Sequence, residues 1–396
     1  MTTPKLRFKE FGGDWELDLL GNLVQIKSGY SPSKYELDKS GEMPFLKVEE
    51  LNNCDKYQEY SRFYTERNSD AVPSKSVVFP KRGAAILNNK VRILRVDALL
   101  DSNLMALIPQ HSLDAEYLYY LINKIELYKI ADTSTIPQIN NKHIEPYSIY
   151  LPSKEEQTKI ASFLSNVDEK ISQLTQKHAL LSQYKQGMMQ KLFSQQIRFK
   201  ADDGSEFGEW EETVLEKIGI FLKGKGISKA DIVENGFTPC IRYGELYTHY
   251  GEVISKVISA TNLEIENLIL SKANDVLIPA SGETQIDIAT ASCVLHDDVA
   301  LSGDLNIFRT KENGVFLSYL IRSHLKMQIA QLAQGNSVVH LYSSQLKGVR
   351  LNLPCLEEQT KIANFLSSID QKIEVVAQQI EQAKQWKKGL LQQMFV

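Results

Sequence analysis

One block occurs twice in this chain, and that duplication limits what it can fold into. Leu151-Pro152-Ser153-Lys154-Glu155-Glu156-Gln157-Thr158-Lys159-Ile160-Ala161-Ser162-Phe163-Leu164 returns as Leu353-Pro354-Cys355-Leu356-Glu357-Glu358-Gln359-Thr360-Lys361-Ile362-Ala363-Asn364-Phe365-Leu366, displaced by 353 − 151 = 202 positions in 396 residues. The register continues without a gap to Lys185-Gln186-Gly187-Met188-Met189 and Lys387-Lys388-Gly389-Leu390-Leu391. Solenoid units repeat every 20–50 residues. A displacement of half the chain describes a duplicated half-molecule instead.

Within the first copy, Ile160, Leu164, Val167, Ile171, Leu174, Leu181, Met188 and Leu192 fall on a spacing of fours and threes, with His178 a polar exception. The second copy places Ile362, Leu366, Ile369, Ile373, Val376, Ile380, Ala383, Leu390 and Met394 on the same register. These are heptad seams on long amphipathic helices. At 1.5 Å per residue, forty residues reach roughly 60 Å, more than a small core needs. Each helix could simply close the core of its own half. The length favours pairing of the two helices as a coiled coil, antiparallel in geometry because a large domain lies between them. Ser153 and Glu156 fit a capping box, which Cys355 weakens in the second copy.

The expected architecture is mixed α/β (α+β), with a pseudo-twofold internal repeat. Residues 1–150 and 197–352 form two similar domains, and 151–196 and 353–396 form the two helices. The halves share a grammar. Leu6-Arg7-Phe8, Trp15 and the loop Lys27-Ser28-Gly29 answer Ile197-Arg198-Phe199, Trp210 and the loop Lys223-Gly224-Lys225-Gly226. Val77-Val78-Phe79-Pro80 and Val276-Leu277-Ile278-Pro279 read as buried strands ended by proline. Short amphipathic helices start near Glu116 and Val315. The scaffold recurs while the loops differ, as expected of one fold carrying two recognition surfaces.

The repeated L-P-x-x-E-E-Q-x-x-I-A-x-x-L blocks, the K-x-G-[LM]-[LM] endings and the two variable halves together resemble the specificity subunit of Type I restriction-modification systems. The resemblance covers the whole chain, and the repeated block is its specific part. It implies two target recognition domains, each reading one half of a bipartite, asymmetric double-stranded DNA target, with the helices setting the spacer. It further implies assembly with two adenine-N6 methyltransferase subunits and, for cleavage, two ATP-dependent motor-nuclease subunits. S-adenosylmethionine, ATP and Mg would then belong to those partners, and no cofactor to this chain.

The residues suggest no chemistry of their own. No Pro-Pro dipeptide occurs, so a loop of the N/D-P-P-Y type is absent, and Gly224-Lys225-Gly226 lacks the spacing of a P-loop. That loop could still touch phosphate through backbone N–H groups and Lys223 or Lys225. Seven scattered histidines and four distant cysteines, Cys54, Cys240, Cys293 and Cys355, form neither a metal motif nor a disulfide framework, and the cysteines read as reduced packing residues. No apolar run is long enough for a bilayer and the start lacks the apolar core of a signal peptide, so a cytoplasmic location is expected.

Candidate DNA contacts are Lys81, Arg82, Lys90, Arg92 and Arg95 in the first half, with Lys223, Lys225, Lys229, Arg242 and Tyr243 in the second. Asn88, Asn89, Gln138 and Gln285 are available to read adenine, as arginine reads guanine. Candidate partner contacts lie on helix faces taken as exposed: Glu155, Glu156, Gln157, Lys159 and the Lys185-Gln186-Gly187 turn, with Glu357, Glu358, Gln359, Lys361 and Gly389. Gly187 and Gly389 could instead relieve crowding. A net charge of −4 counts against an autonomous DNA binder. It leaves open a coiled-coil assembly scaffold that binds no DNA, and, less favoured, a stand-alone DNA-modifying enzyme.

Overall fold

The computed structural model describes residues 2–335 and 338–396. It divides into two compact units: residues 1–175 with 378–396, and residues 176–377. The first long helix, Lys154–Phe193, and the second, Leu356–Met394, are each continuous across that division. Each unit therefore holds the start of one long helix and the end of the other, and the two segments run antiparallel.

In the first unit a five-stranded sheet has the order Val24–Ser28, Leu104–Pro109, Val77–Pro80, Arg92–Leu94, Tyr57–Gln58. A three-stranded sheet sets Met43–Leu46 between Tyr64–Thr65 and Leu99–Leu100. Val77–Pro80 is buried along its whole length, which explains its unbroken apolar run. Asp114 caps the helix Ala115–Ile125 by accepting from the N–H groups of Glu116 and Tyr117. Tyr117 and Tyr120 of that helix are fully buried beside Phe79, Ile160 and Leu164, and Leu390, Met394 and Phe395 from the second long helix and its end complete the core.

The second unit repeats this plan. Its five-stranded sheet runs Gly219–Lys223, Leu305–Thr310, Val276–Pro279, Ser292–Val294, Val253–Ile254. Asn313 caps the helix Gly314–Arg322, and Phe316 and Tyr319 pack with Leu192, Phe193, Ile362 and Leu366. The heptad positions thus do two jobs. Near its start each helix fills the core of the domain before it, and near its end it covers the core of the other unit. Leu181 and Met188 are only half-buried, and Met189 supplies the buried contact instead.

Two local expectations are corrected. Only half of the capping box forms: Ser153 Oγ accepts from the Glu156 N–H at 3.3 Å, while the Glu156 carboxylate binds Arg7. Cys240 and Cys293 are buried, but Cys355 is exposed beside the start of the second helix, so it is not a core packing residue. Among the described residues no helix is long and apolar enough to cross a membrane, and no cluster of three or more His, Cys, Asp or Glu could hold a metal.

Candidate nucleic-acid interface and its supporting clamps

The repeated Glu-Glu-Gln has one exposed and two buried members. Glu155 and Glu357 are exposed, whereas Glu156, Gln157, Glu358 and Gln359 are almost wholly inaccessible. Arg7 makes a two-pronged contact with Glu156 at 2.8 Å on each oxygen, and Arg198 grips Glu358 at 3.1 and 2.7 Å. Gln157 accepts the Asp114 N–H at 2.8 Å and donates to the carbonyls of Ser112 and Pro152; Gln359 accepts the Asn313 N–H at 3.0 Å and donates to Pro354. These four residues fasten each long helix to its own domain. They are not on an exposed docking face.

The remaining partner-contact candidates divide differently. Lys159 is exposed, 3.4 Å from Glu10, and Lys361 is tied to Asp202 at 2.6 Å and to the Lys200 carbonyl. A Cβ at Gly187 would meet nothing within 4 Å, and one at Gly389 only the tip of Gln393. Contacts within the chain therefore do not require glycine at either position, so crowding relief is not its reason.

A second pair of clamps uses residues the sequence did not single out, apart from Lys185, expected on an exposed docking face but instead largely buried between Glu252 and Asp370. Tyr120 donates to Asp168 at 2.6 Å, and Lys387 approaches the other oxygen of Asp168 at 2.5 Å. In the second unit Tyr319 donates to Asp370 at 2.5 Å and Lys185 pairs with it at 2.7 Å. Burial is the main cause that pushes the Asp370 carboxyl above its usual value, with Glu252 adding repulsion against the pull of Lys185.

The candidate DNA contacts fall into several groups. Arg82 lies opposite Gln138 in an antiparallel bridge, bracketed by Gly83 N–H to Pro137 O and Ile139 N–H to Lys81 O, both 2.8 Å. Lys81 is half-buried there, and burial followed by the charge of Arg82 holds its ammonium below its ordinary value. Lys90 instead bonds Asn52, Arg92 donates to the Val91 carbonyl, and Arg95 lies over the Tyr57 ring 3.7 Å from Glu59. Asn89 engages its amide with Asn123 and Leu127, and Gln285 donates to the Ala333 carbonyl at 3.3 Å, so both already have partners within the chain; Asn88 is exposed.

In the second unit Lys229, Arg242 and Tyr243 line one cleft of about 590 Å³ with Ser302, Gly303 and Asp304. Arg242 is also held by Glu245 at 3.1 Å. Lys223 and Lys225 are exposed outside that lining. Two backbone N–H groups of this loop are not free for phosphate, since those of Gly224 and Lys225 donate to Leu305 and Leu301, while the Lys223 and Lys225 side chains stay exposed. A Cβ at Gly224 would sit 1.9 Å from the Ser302 carbonyl, and one at Gly29 2.2 Å from that of Asp101. Close backbone approach demands both glycines.

Comparison with known proteins bears on this duplicated arrangement. The family described as Type I restriction modification DNA specificity domain matches residues 12–183 and again 208–385. The chain belongs to this family.

Among relatives of this specificity-domain chain, the Type I restriction enzyme MjaVIII specificity subunit of Methanocaldococcus jannaschii is 26% identical, over 97% of this chain and 94% of that one. The EcoR124I/EcoR124II specificity subunit of Escherichia coli is 22% identical over 43% of this chain and 45% of its own length. The fold is similar to that of the S subunit of M. genitalium, with TM-score 0.59 and 16% identity over 100% of this chain and 99% of the other. The HsdS subunit of Thermoanaerobacter tengcongensis gives TM-score 0.51 and 14% identity, again over 100% and 99%. Each family match covers one domain together with most of one long helix, which is the piece that the buried Glu and Gln hold together.

Proposed function

We propose that the chain reads DNA for a Type I restriction-modification complex and performs no chemistry itself. Each unit recognises one half of a bipartite, asymmetric target. The paired helices set the distance between the half-sites, and adenine-N6 methyltransferase subunits dock on helix surfaces that include Glu155, Glu357, Lys159, Gly187 and Gly389. Two methyltransferase and two motor-nuclease subunits complete the assembly in the cell interior, bringing S-adenosylmethionine, ATP and Mg.

The observation that carries this reading is a frame preserved in duplicate with divergent loops. Arg7 and Arg198, Gln157 and Gln359, and Tyr120 and Tyr319 keep both residue type and role. The segments that follow the matched strands Val77–Pro80 and Val276–Pro279, Lys81-Arg82 and Ala280-Ser281, do not correspond in charge. With a net charge of −4, partner subunits would supply much of the phosphate contact.

The test is selection of random duplexes by the complex co-purified with its methyltransferase. One bipartite, asymmetric motif is expected. One heptad inserted in each long helix is expected to change the spacer and leave both half-sites intact. Binding without sequence preference would favour an assembly scaffold, and altered half-sites would sink the ruler role of the helices.

A further inference from the structure

We infer that a row of three polar residues joined by antiparallel bridges in each unit determines which bases its half-site must carry: Arg82, Gln138 and Asp132 in the first unit, Ser281, His340 and Gln334 in the second. The inference rests on the DNA-reading role proposed above and names the residues that execute it.

The two rows are built alike. Gln138 lies opposite Arg82 on one side and Asp132 on the other, exchanging both backbone hydrogen bonds with Asp132 at 2.9 Å. His340 lies opposite Ser281 and exchanges both bonds with Gln334, at 2.9 and 2.7 Å. Flanking each row, Ile139 donates to the Lys81 carbonyl at 2.8 Å and Leu341 to the Ala280 carbonyl at 3.0 Å. Residues directly opposite in antiparallel pairing project from the same face, so the three side chains of each row lie together; in the second row Ser281 is buried and holds His340, while Gln334 is exposed.

Chemistry is where the rows part. A guanidinium, an amide and a carboxylate in one unit stand where a hydroxyl, an imidazole and an amide stand in the other. At the clamps, by contrast, shared backbone roles keep the same residue types. Equal backbone with unequal donors and acceptors is what reading two different half-sites requires. An arginine fork and a glutamine amide can each make two-point contacts that separate one base edge from another in the major groove.

Two further features mark the rows as ones that meet DNA. Ile136 and Val338, each two residues before the central member of its row, are 63% and 52% exposed, although folding has no use for an apolar tip there. Such a tip fits the thymine methyl group. Arg82 is exposed, and among the described residues neither it nor its neighbour Lys81 forms an ion pair, which leaves two adjacent cations for an anionic partner. Asp132 also accepts the Ser134 N–H at 3.0 Å, and Ser281 and His340 contact each other at 3.1 Å, so each row is partly held before DNA arrives.

The experiment maps N6-methyladenine made by the complete methyltransferase complex carrying Arg82→Ser with Gln138→His, or separately His340→Gln. Each set is expected to change one or two bases of a single half-site, with discrimination there altered roughly tenfold to a hundredfold, while the other half-site and the spacer stay as they were. Ile136→Ala is expected to weaken only the half-site read by the first unit, with an unchanged melting temperature. Unchanged motifs at full activity would overturn the assignment, as would equal loss at both half-sites. Should the double variant lose all methylation, Arg82→Lys decides: selective loss at one base supports the row, and an unaltered motif ends it. A native complex without any bipartite motif would refute the DNA-reading role itself, a different failure from native specificity that ignores these residues.

Discussion

The two tyrosine clamps share a plan and differ in one charge. In the first unit Asp168 accepts from Tyr120 and Lys387, and Lys56 stands behind them, bonded to Tyr120 and Ser165 and ion-paired with Glu116. In the second, Asp370 accepts from Tyr319 and Lys185, but Glu252 occupies the place of Lys56, just before the outermost strand of the sheet, and shares Lys185 at 2.9 Å. One clamp sets two lysines against Asp168 and Glu116, and the other sets two acids around one lysine. The Tyr, Asp and Lys that join helix to domain are kept, whereas the position behind them changes sign when a neighbour compensates. The frame is conserved by contact and the periphery by charge balance.

The largest effects are expected where the two units agree. Glu358→Ala would strand the guanidinium of Arg198, and removing one partner of a buried pair costs about 3–5 kcal/mol. Glu156→Ala should cost less, because Glu358 also accepts from Trp210 at 3.2 Å, while the buried Trp15 Nε1 in the first unit has no such partner. Chemical denaturation of the two variants checks the order, and a larger loss for Glu156→Ala would break the comparison. Next comes Tyr319→Phe, which removes one donor from a charged acceptor, worth about 1.5–3 kcal/mol. Tyr120→Phe should cost at least as much, since the same hydroxyl also accepts from Lys56 at 3.1 Å.

Acid titration sharpens the same contrast. The folded state raises the Asp370 pKa above 3.8, so it binds this proton more tightly than the unfolded chain does. The stabilisation from that proton is fully present below 3.8 and is lost as pH rises through the raised value. Asp370→Asn should flatten that part of the stability profile, and Glu252→Gln should move it to lower pH by removing a repelling charge. A profile indifferent to both would show that Asp370 does not titrate in this window. The smallest effect is at the open helix glycine: Gly187→Ala should stabilise by about 0.8–1 kcal/mol, since nothing in the chain fills the space. Gly187→Leu should leave the isolated chain folded yet weaken methyltransferase co-purification, and undiminished capture would remove Gly187 from the docking surface.

Much of the frame was legible from repetition. Both long helices, the buried Val77–Pro80 and Val276–Pro279 strands and the duplicated halves follow from periodicity and from the 202-residue displacement. The misreading of Glu156 and Gln157 has a physical cause: polar residues on a helix look exposed until a partner far along the chain is known. Arg7 lies 149 positions from Glu156. A usable signal was nevertheless present, because Leu6-Arg7-Phe8 and Ile197-Arg198-Phe199 recur together with the Glu-Glu-Gln blocks. Arg82 and Gln138 were both named as readers, but their pairing depends on backbone register that no local pattern reveals. His340 looked like one more isolated histidine until its place opposite Ser281 gave it an equivalent in the other unit.

The most direct measurement of the central claim, one duplicated frame carrying two unlike readers, is a genome-wide map of N6-methyladenine in a host expressing the methyltransferase partner, with and without this chain. The account predicts that deletion abolishes methylation at a single bipartite motif whose halves differ. An unchanged map despite an active, co-purifying methyltransferase would contradict it, and so would loss at a motif with two identical halves.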